Sequence, residues 1–261
     1  MKLIKQFFSS LLLICVISTS GGAFAGQITQ LGFILDGSGS VSTSNYDLLR
    51  SGLKDAIAAL TADGSVEITV TAYGSGTSTV VAPTLLTAVS LSGIQAAIMT
   101  HSKNGGGTDT AGAIRYTTDL ITGSSIFNNA NLRASIINLA TDGEPNSQSA
   151  AEAAALYAFN EGIDALSIEA IGSGVSSNSA LNNLLKIGFP GPAQLLAVNE
   201  TNIPNPLGKS WVVPVSDFDA LAPVLKAKVI ASVTPVTVPD PSSLVLLAIG
   251  LIGLGFARKR V

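Results

Sequence analysis

The sequence has one cysteine and one histidine among 261 residues, and only 12% of its residues are charged. The cysteine, Cys15, lies inside an N-terminal apolar run. A chain matured beyond it forms no disulfide and offers no thiolate to a metal. His101 is the sole imidazole, so a serine nucleophile would have almost no choice of base. A Gly-x-Ser-x-Gly elbow is also missing. We therefore expect no enzyme and no catalytic residue, and we read His101 as a surface residue in a polar loop. Positive charge is scarce as well. Five of the fourteen basic residues, Lys2, Lys5, Arg258, Lys259 and Arg260, crowd the two ends. The remaining nine face seventeen acidic residues, a net of −8, which excludes nucleic-acid binding through a basic surface. Uninterrupted apolar runs all fall short of the ~20 residues that a membrane-spanning helix needs.

Short apolar runs do mark both ends. Met1–Ala25 has the form of a secretory signal peptide: Lys2 and Lys5, then Leu11–Ile17, then Ala23-Phe24-Ala25 before Gly26. At the other end Leu244–Ala257 is apolar and precedes Arg258-Lys259-Arg260. Fourteen helical residues reach about 21 Å, against a hydrocarbon core of about 30 Å. This segment reaches the membrane at least transiently, with its basic tail on the cytoplasmic side and the rest of the chain outside. Ahead of it stands Val238-Pro239-Asp240-Pro241-Ser242-Ser243. The arrangement resembles the PEP-CTERM sorting signal of Gram-negative bacteria, with Asp240 where the signal usually has Glu. That resemblance implies an exosortase-type processing enzyme, removal of the tail, and delivery to the cell surface, outer membrane or extracellular matrix. The chain thus divides into a signal peptide (1–25), one domain (26–232), and a linker with sorting segment (233–261).

Within the domain, strands and helices alternate. Strands are expected at Gln27–Leu35, Val66–Tyr73, Thr79–Ala82, Leu132–Ala140, Ala165–Ile171 and Trp211–Val215. Helices are expected at Asn45–Leu60, Leu91–Met99, Ala111–Leu120, Ser149–Glu161, Ser179–Ile187 and Asp217–Ile230. Ser42 or Ser44 caps the first helix. Gly188–Ser210, rich in Pro and Asn, reads as irregular, and Trp211 packs in the core or beneath that stretch. This order predicts an α/β fold: a Rossmann-like, doubly wound, mostly parallel sheet with helices on both faces. Such sheets gather their ligand-binding loops at the carboxyl ends of the strands.

Three of those loops carry oxygen donors. Asp36-Gly37-Ser38-Gly39-Ser40 follows the first strand, Gly105-Gly106-Gly107-Thr108-Asp109-Thr110 precedes a helix, and Thr141-Asp142-Gly143 follows a second buried strand. The glycine run does not continue into the Gly-Lys-Ser/Thr of a nucleotide P-loop. Asp36, Ser38, Ser40, Thr108 and Asp142 together supply two carboxylates and three hydroxyls. With waters this is a six-oxygen set for a hard cation: Mg²⁺, with Mn²⁺ or Ca²⁺ as alternatives. Asp109 and Glu144 stand beside it as solvated neighbours. The three motifs, in this order, resemble the metal-ion-dependent adhesion site of von Willebrand factor A domains over about residues 27–232. That family implies Ser38, Ser40 and Thr108 as near-direct ligands, and Asp36 and Asp142 acting mostly through waters. It implies an exported binding or adhesion module that captures an acidic protein or polysaccharide ligand through the metal. A structural matrix component is the alternative, and a metal-assisted hydrolase the second alternative. Mass spectrometry of the mature protein should find nothing before Gly26 and nothing beyond about Pro241. An intact Arg258-Lys259-Arg260 tail would leave a plain anchor instead.

Overall fold

The computed structural model describes residues 27–234. The segments read as export and sorting signals, including Leu244–Ala257, lie outside them. Among the described residues no helix is long and apolar enough to cross a membrane. The strands are β1 (Ile28–Asp36), β2 (Asp63–Tyr73), β3 (Thr77–Thr87), β4 (Leu132–Thr141), β5 (Ala165–Ile171), β6 (Gln194–Leu195) and β7 (Trp211–Val215). The helices are α1 (Thr43–Ala58), α2 (Leu91–Thr100), α3 (Thr110–Thr122), α4 (Gln148–Asn160), α5 (Asn178–Leu185) and α6 (Leu221–Val233). One seven-stranded sheet has the order β3-β2-β1-β4-β5-β7-β6, parallel except for the β2–β3 hairpin. The doubly wound α/β expectation holds.

The near-continuous apolar runs of β1, β4 and β5 follow from burial on both faces. On one face Leu31, Phe33 and Leu35 pack with Tyr46, Leu49 and Leu53 of α1 and with Leu221, Val224 and Leu225 of α6. On the other, Ile34, Ile137 and Leu139 pack with Ile114 and Ile121 of α3 and Ala154 and Ala158 of α4. Ser42 is the cap of α1: its side chain accepts from Asn45 N at 3.1 Å.

Three sequence readings are adjusted. β3 runs to Thr87 rather than Ala82, because it pairs along the length of β2 back to Asp63. The last helix begins at Leu221, since the Asp217 carboxylate first closes a turn by accepting from Ala220 N at 2.9 Å. Gly188–Ser210 contains the edge strand β6, laid parallel on β7. Within that stretch Pro204 O accepts from Trp211 Nε1 at 3.1 Å, so Trp211 is both core and floor of the loop.

The apolar stripe of α6 passes through Lys228, which is fully buried and ion-paired to the equally buried Glu169 of β5. Its ammonium lies 5.1 Å from the Trp211 ring centroid. Burial pushes Glu169 up and Lys228 down from their ordinary values, and the charge of each partner opposes that. Removing one partner strands a charge in the core. Lys228→Met alone should cost about 3–5 kcal/mol in chemical denaturation, whereas Lys228→Met with Glu169→Leu should recover most of it. Equal destabilisation of the two variants would show that the charges themselves carry no penalty.

Candidate metal centre

The parallel sheet brings the carboxyl ends of β1, β2 and β4 level with one another. Asp36 closes β1, and its register partner on β2 is Tyr73. Asp36 is buried, and both its oxygens are engaged. Oδ1 accepts from Ser38 N at 2.9 Å; Oδ2 accepts from Thr141 Oγ1 at 2.7 Å and from Tyr73 OH at 3.0 Å. Burial first, and then the Asp36 charge, push the Tyr73 phenol well above its ordinary value, so it remains a donor at any working pH.

From that anchor the loop climbs to the surface. Ser38 Oγ lies 3.0 Å from Ser40 Oγ, which in turn donates to Asp142 Oδ1 at 2.7 Å. Asp36, Ser38, Ser40 and Asp142 are therefore one linked cluster. Thr108 reaches the same edge by another route. Its backbone N donates to Asn146 Oδ1 and its O accepts from Asn146 N, both at 3.0 Å. Its Oγ1 would lie 3.6 Å from a Cβ added at Gly143, the residue after Asp142. Among the described residues Thr108 Oγ1 makes no hydrogen bond to the other four.

The glycines of the glycine-rich loop sit on the Asp36 loop through backbone bonds. Gly105 N donates to Gly37 O at 2.7 Å, and Gly39 N donates to Gly106 O at 2.8 Å. Gly105 and Gly106 adopt φ of +71° and +80°, where a side chain is strained. A Cβ on Gly74 would meet Gly105 O at 1.9 Å, so the end of the β2–β3 hairpin must also be glycine for the loop to seat. Lys103 reaches Ser38 O and Val41 O, tying the loop to the start of α1.

Burial pushes the half-exposed Asp142 carboxyl above its ordinary value; its Ser40 hydrogen bond opposes this, and the Asp36 charge adds to it. Among the described residues neither Asp36 nor Asp142 has an ion-pair partner. None of them form a cluster of three His, Cys, Asp or Glu side chains either. What converges is a hydroxyl-rich oxygen set with two carboxylates and no basic side chain among them. That donor chemistry fits a hard divalent cation and excludes a thiolate or imidazole site.

The neighbours have structural partners. Asp109 caps α3 by accepting from Gly112 N at 3.0 Å, and Glu144 accepts from Asn183 Nδ2 at 2.9 Å. His101 is not the surface residue expected. It is partly buried, with Nδ1 2.9 Å from Tyr46 OH and Nε2 3.0 Å from Ser78 Oγ, and joins α1 to β3 at the root of the glycine-rich loop. Motif reading did not single out Tyr73, and it took Thr141 as part of the Thr141-Asp142-Gly143 motif without its bond to Asp36. The strand register, which sets Tyr73 level with Asp36, is the signal that finds the first.

A doubly wound sheet with this oxygen cradle at its carboxyl edge defines a class: α/β domains whose ligand loops gather at the carboxyl ends of the strands. The von Willebrand factor type A domain family matches residues 30–203, and the chain belongs to that family. The PEP-CTERM protein-sorting motif matches residues 237–260, outside the described part. Comparison with curated proteins finds no match. Among solved structures, proximal thread matrix protein 1 from the mussel byssus is 16% identical with a TM-score of 0.60. The alignment covers 78% of this chain and 48% of that one, so this chain spans about half its length. The same mussel protein with a zinc-occupied MIDAS motif aligns at 17% identity and TM-score 0.56, covering 78% and 45%. The pilus adhesin SpaC of Lactobacillus rhamnosus GG aligns at 13% and 0.58, covering 78% and 30%. At these identities the likeness shows the fold.

If Tyr73 holds the carboxylate that organises the cradle, Tyr73→Phe should weaken Mn²⁺ binding about 10-fold by calorimetric titration while leaving the fold intact, the usual size for losing an outer-shell partner. Unchanged affinity would show that Thr141 and Ser38 N suffice.

Proposed function

We propose that this protein is an exported binding module. It captures an acidic group on its ligand through a divalent cation, Mg²⁺ in the first place, held by Ser38, Ser40, Thr108, Asp36 and Asp142. The observation that carries this reading is the linked Asp36–Ser38–Ser40–Asp142 cluster, which opens to solvent at Ser40 and Asp142. When bound, the cation would supply an electrophilic centre for an outside carboxylate. The chain's own residues do the rest. Tyr73, Thr141 and Ser38 N fix Asp36, and the two positive-φ glycines bring Thr108 alongside. Neutral hydroxyls as the nearest donors leave the centre short of negative charge, which favours an anionic ligand over a hydroxide-generating role.

Placement of the site fits attachment from the other end. Ile28 N donates to Asn131 O, and Arg133 donates to Val233 O and Thr234 O. The described chain therefore begins and ends beside the start of β4. Asp142 follows the far end of that ten-residue strand, about 30 Å away. A chain tethered through its 233–261 segment would present the cation site outward. That suits an exosortase-processed protein of a Gram-negative cell surface or matrix, held at the inner membrane only in transit.

Mn²⁺ or Mg²⁺ at about 100 times its dissociation constant should stabilise the protein by about 2.7 kcal/mol, a melting-temperature rise of about 5 °C or more. EDTA and Asp36→Ala should each abolish the rise. Identical melting curves with metal and with EDTA in the wild type would overturn the reading.

A further inference from the structure

The edge of the sheet opposite the cation site carries an apolar feature of its own. On α4, Leu156 and Phe159 stand one turn apart and leave 60% and 53% of their surface exposed. They wall a cavity of about 490 Å³, closed on its other side by Lys186, Phe189, Pro190 and Gly191. The Phe159 and Phe189 rings meet edge to face, with centroids 5.8 Å apart. The far wall is fixed. Leu166 N donates to Phe189 O at 2.7 Å, and Ser210 N and Oγ both donate to Pro190 O, at 3.2 and 2.9 Å. Two charged residues line the groove. The Glu152 carboxylate accepts from Gln148 Nε2 at 2.9 Å; Lys186 is exposed and has no ion pair among the described residues. Exposed aromatic and aliphatic side chains on a fixed groove mark a place where apolar surface is covered.

The described chain ends near this groove. Arg133 donates to Val233 O and Thr234 O, and Asn205 Nδ2 donates to Ala231 O and Thr234 O at 3.1 and 2.9 Å. The exit point is thereby pinned at the start of β4. Leu166, near the start of β5, is the register partner of Ile137, and Phe189 bridges Leu166 on the side away from β4. From Arg133 to Phe189 is therefore about 13 Å along the strands and about 10 Å across two strand spacings, roughly 16 Å in all. Beyond Thr234 the sequence reads Pro235-Val236-Thr237-Val238-Pro239-Asp240-Pro241. Three prolines in seven residues favour the polyproline II form, about 3.1 Å per residue, so the fifth residue, Pro239, reaches the groove. The composition suits the lining. Aromatic-lined grooves take proline-rich segments, and Asp240 would arrive where Lys186 stands.

We propose that this groove is the seat of the chain's own 235–241 segment, with Val238 and Pro239 against Phe159 and Phe189 and Asp240 at Lys186. Such a contact is intramolecular and needs little intrinsic affinity, because a short tether holds the segment at an effective concentration in the millimolar range. Its consequence falls on the sorting motif, which matches residues 237–260. Seated in this way, Pro239-Asp240-Pro241 is held against the domain at a fixed place rather than at the end of a free linker. This seating is independent of any cation at the other edge.

The sequence has no cysteine beyond Cys15, so cross-linking reports the contact directly. The test uses the full chain with Cys15→Ser, in phosphatidylethanolamine–phosphatidylglycerol vesicles. Val238→Cys is combined with Gly191→Cys, where an added Cβ meets nothing within 4 Å. The control pair combines it with Gly76→Cys, equally open but on the β2–β3 hairpin at the cation edge. Under mild oxidation the Gly191 pair should close an intramolecular disulfide at least about tenfold faster than the control, read by non-reducing peptide mapping. Adding Leu156→Asp/Phe159→Asp should bring that rate down to the control's without lowering the melting temperature, since both side chains are exposed. Lys186→Glu should slow closure about two- to fivefold, and Asp240→Lys in the same chain should restore it. Equal rates for the two pairs, as expected if a lipid surface takes the groove, would overturn the proposal. So would fast closure that ignores Leu156→Asp/Phe159→Asp, which would reveal proximity without a seat. A disulfide-linked dimer of Gly191→Cys alone, lost with Leu156→Asp/Phe159→Asp, would give the groove to a second copy and overturn it as well.

Discussion

Everything at the working edge of this domain hangs from one buried carboxylate. Asp36 is the last residue of β1, 1% exposed, and it accepts hydrogen bonds from three directions. A buried carboxylate without such partners would be strongly destabilising. Here the donors come from its own loop (Ser38 N), from β2 (Tyr73) and from β4 (Thr141). The anion therefore pins the ends of three adjacent strands to one another. Parallel pairing is what makes this geometry available, since it sets the carboxyl ends of β1, β2 and β4 side by side. The same three bonds orient the turn so that Ser38 meets Ser40 and Ser40 donates to Asp142.

A second constraint is spatial. Three loops must lie within hydrogen-bond reach of one another without a side chain between them. The contacts are main-chain to main-chain: Gly37 to Tyr73, Gly105 to Gly37, Gly39 to Gly106, Ser75 to Gly105. Each requires backbones at van der Waals distance, and the glycines supply it. The turn after β5 obeys the same rule, because a Cβ on Gly174 would meet Asp142 O at 2.3 Å. Glycine at these places seats the loops around the oxygens.

Much of this was legible in the residue order. The alternation of apolar strands and amphipathic helices gave the doubly wound sheet. The abrupt endings at Asp36 and Asp142 marked the edge where ligand groups collect. What stayed hidden depended on contacts between residues far apart in the chain. Tyr73 reads as an ordinary strand residue until its register with Asp36 is known. Lys228 falls at helical spacing with Leu221, Val224 and Leu225, but nothing in the residue order pairs it with Glu169, 59 residues away on β5. His101, alone in a polar loop, carries no sign that Tyr46 and Ser78 enclose it. The two-residue strand β6 has no periodicity to detect, being too short for alternation to register.

Lys228 also bears on how the two halves of the molecule are tied. Helix α6 contributes nothing to the cradle, yet it packs against α1, the helix that begins two residues after the Ser40 turn. Gly52 lets the two helices close, with Ala222 and Leu225 within about 3.5 Å of where its Cβ would be. The ion pair holds α6 to β5 at the same level of the sheet as Trp211, whose indole in turn supports the 188–210 stretch through Pro204. One buried residue pair thus connects α6, the strand ending at the Gly172–Gly174 turn beside Asp142, and the 188–210 stretch. A buried ion pair is a poor source of net stability, but it is intolerant of being shifted, because either charge loses its only compensation when the partner moves. Its position therefore favours a single seating of α6 on the sheet, and with it a fixed relation between the Asp142 edge and the 188–210 stretch.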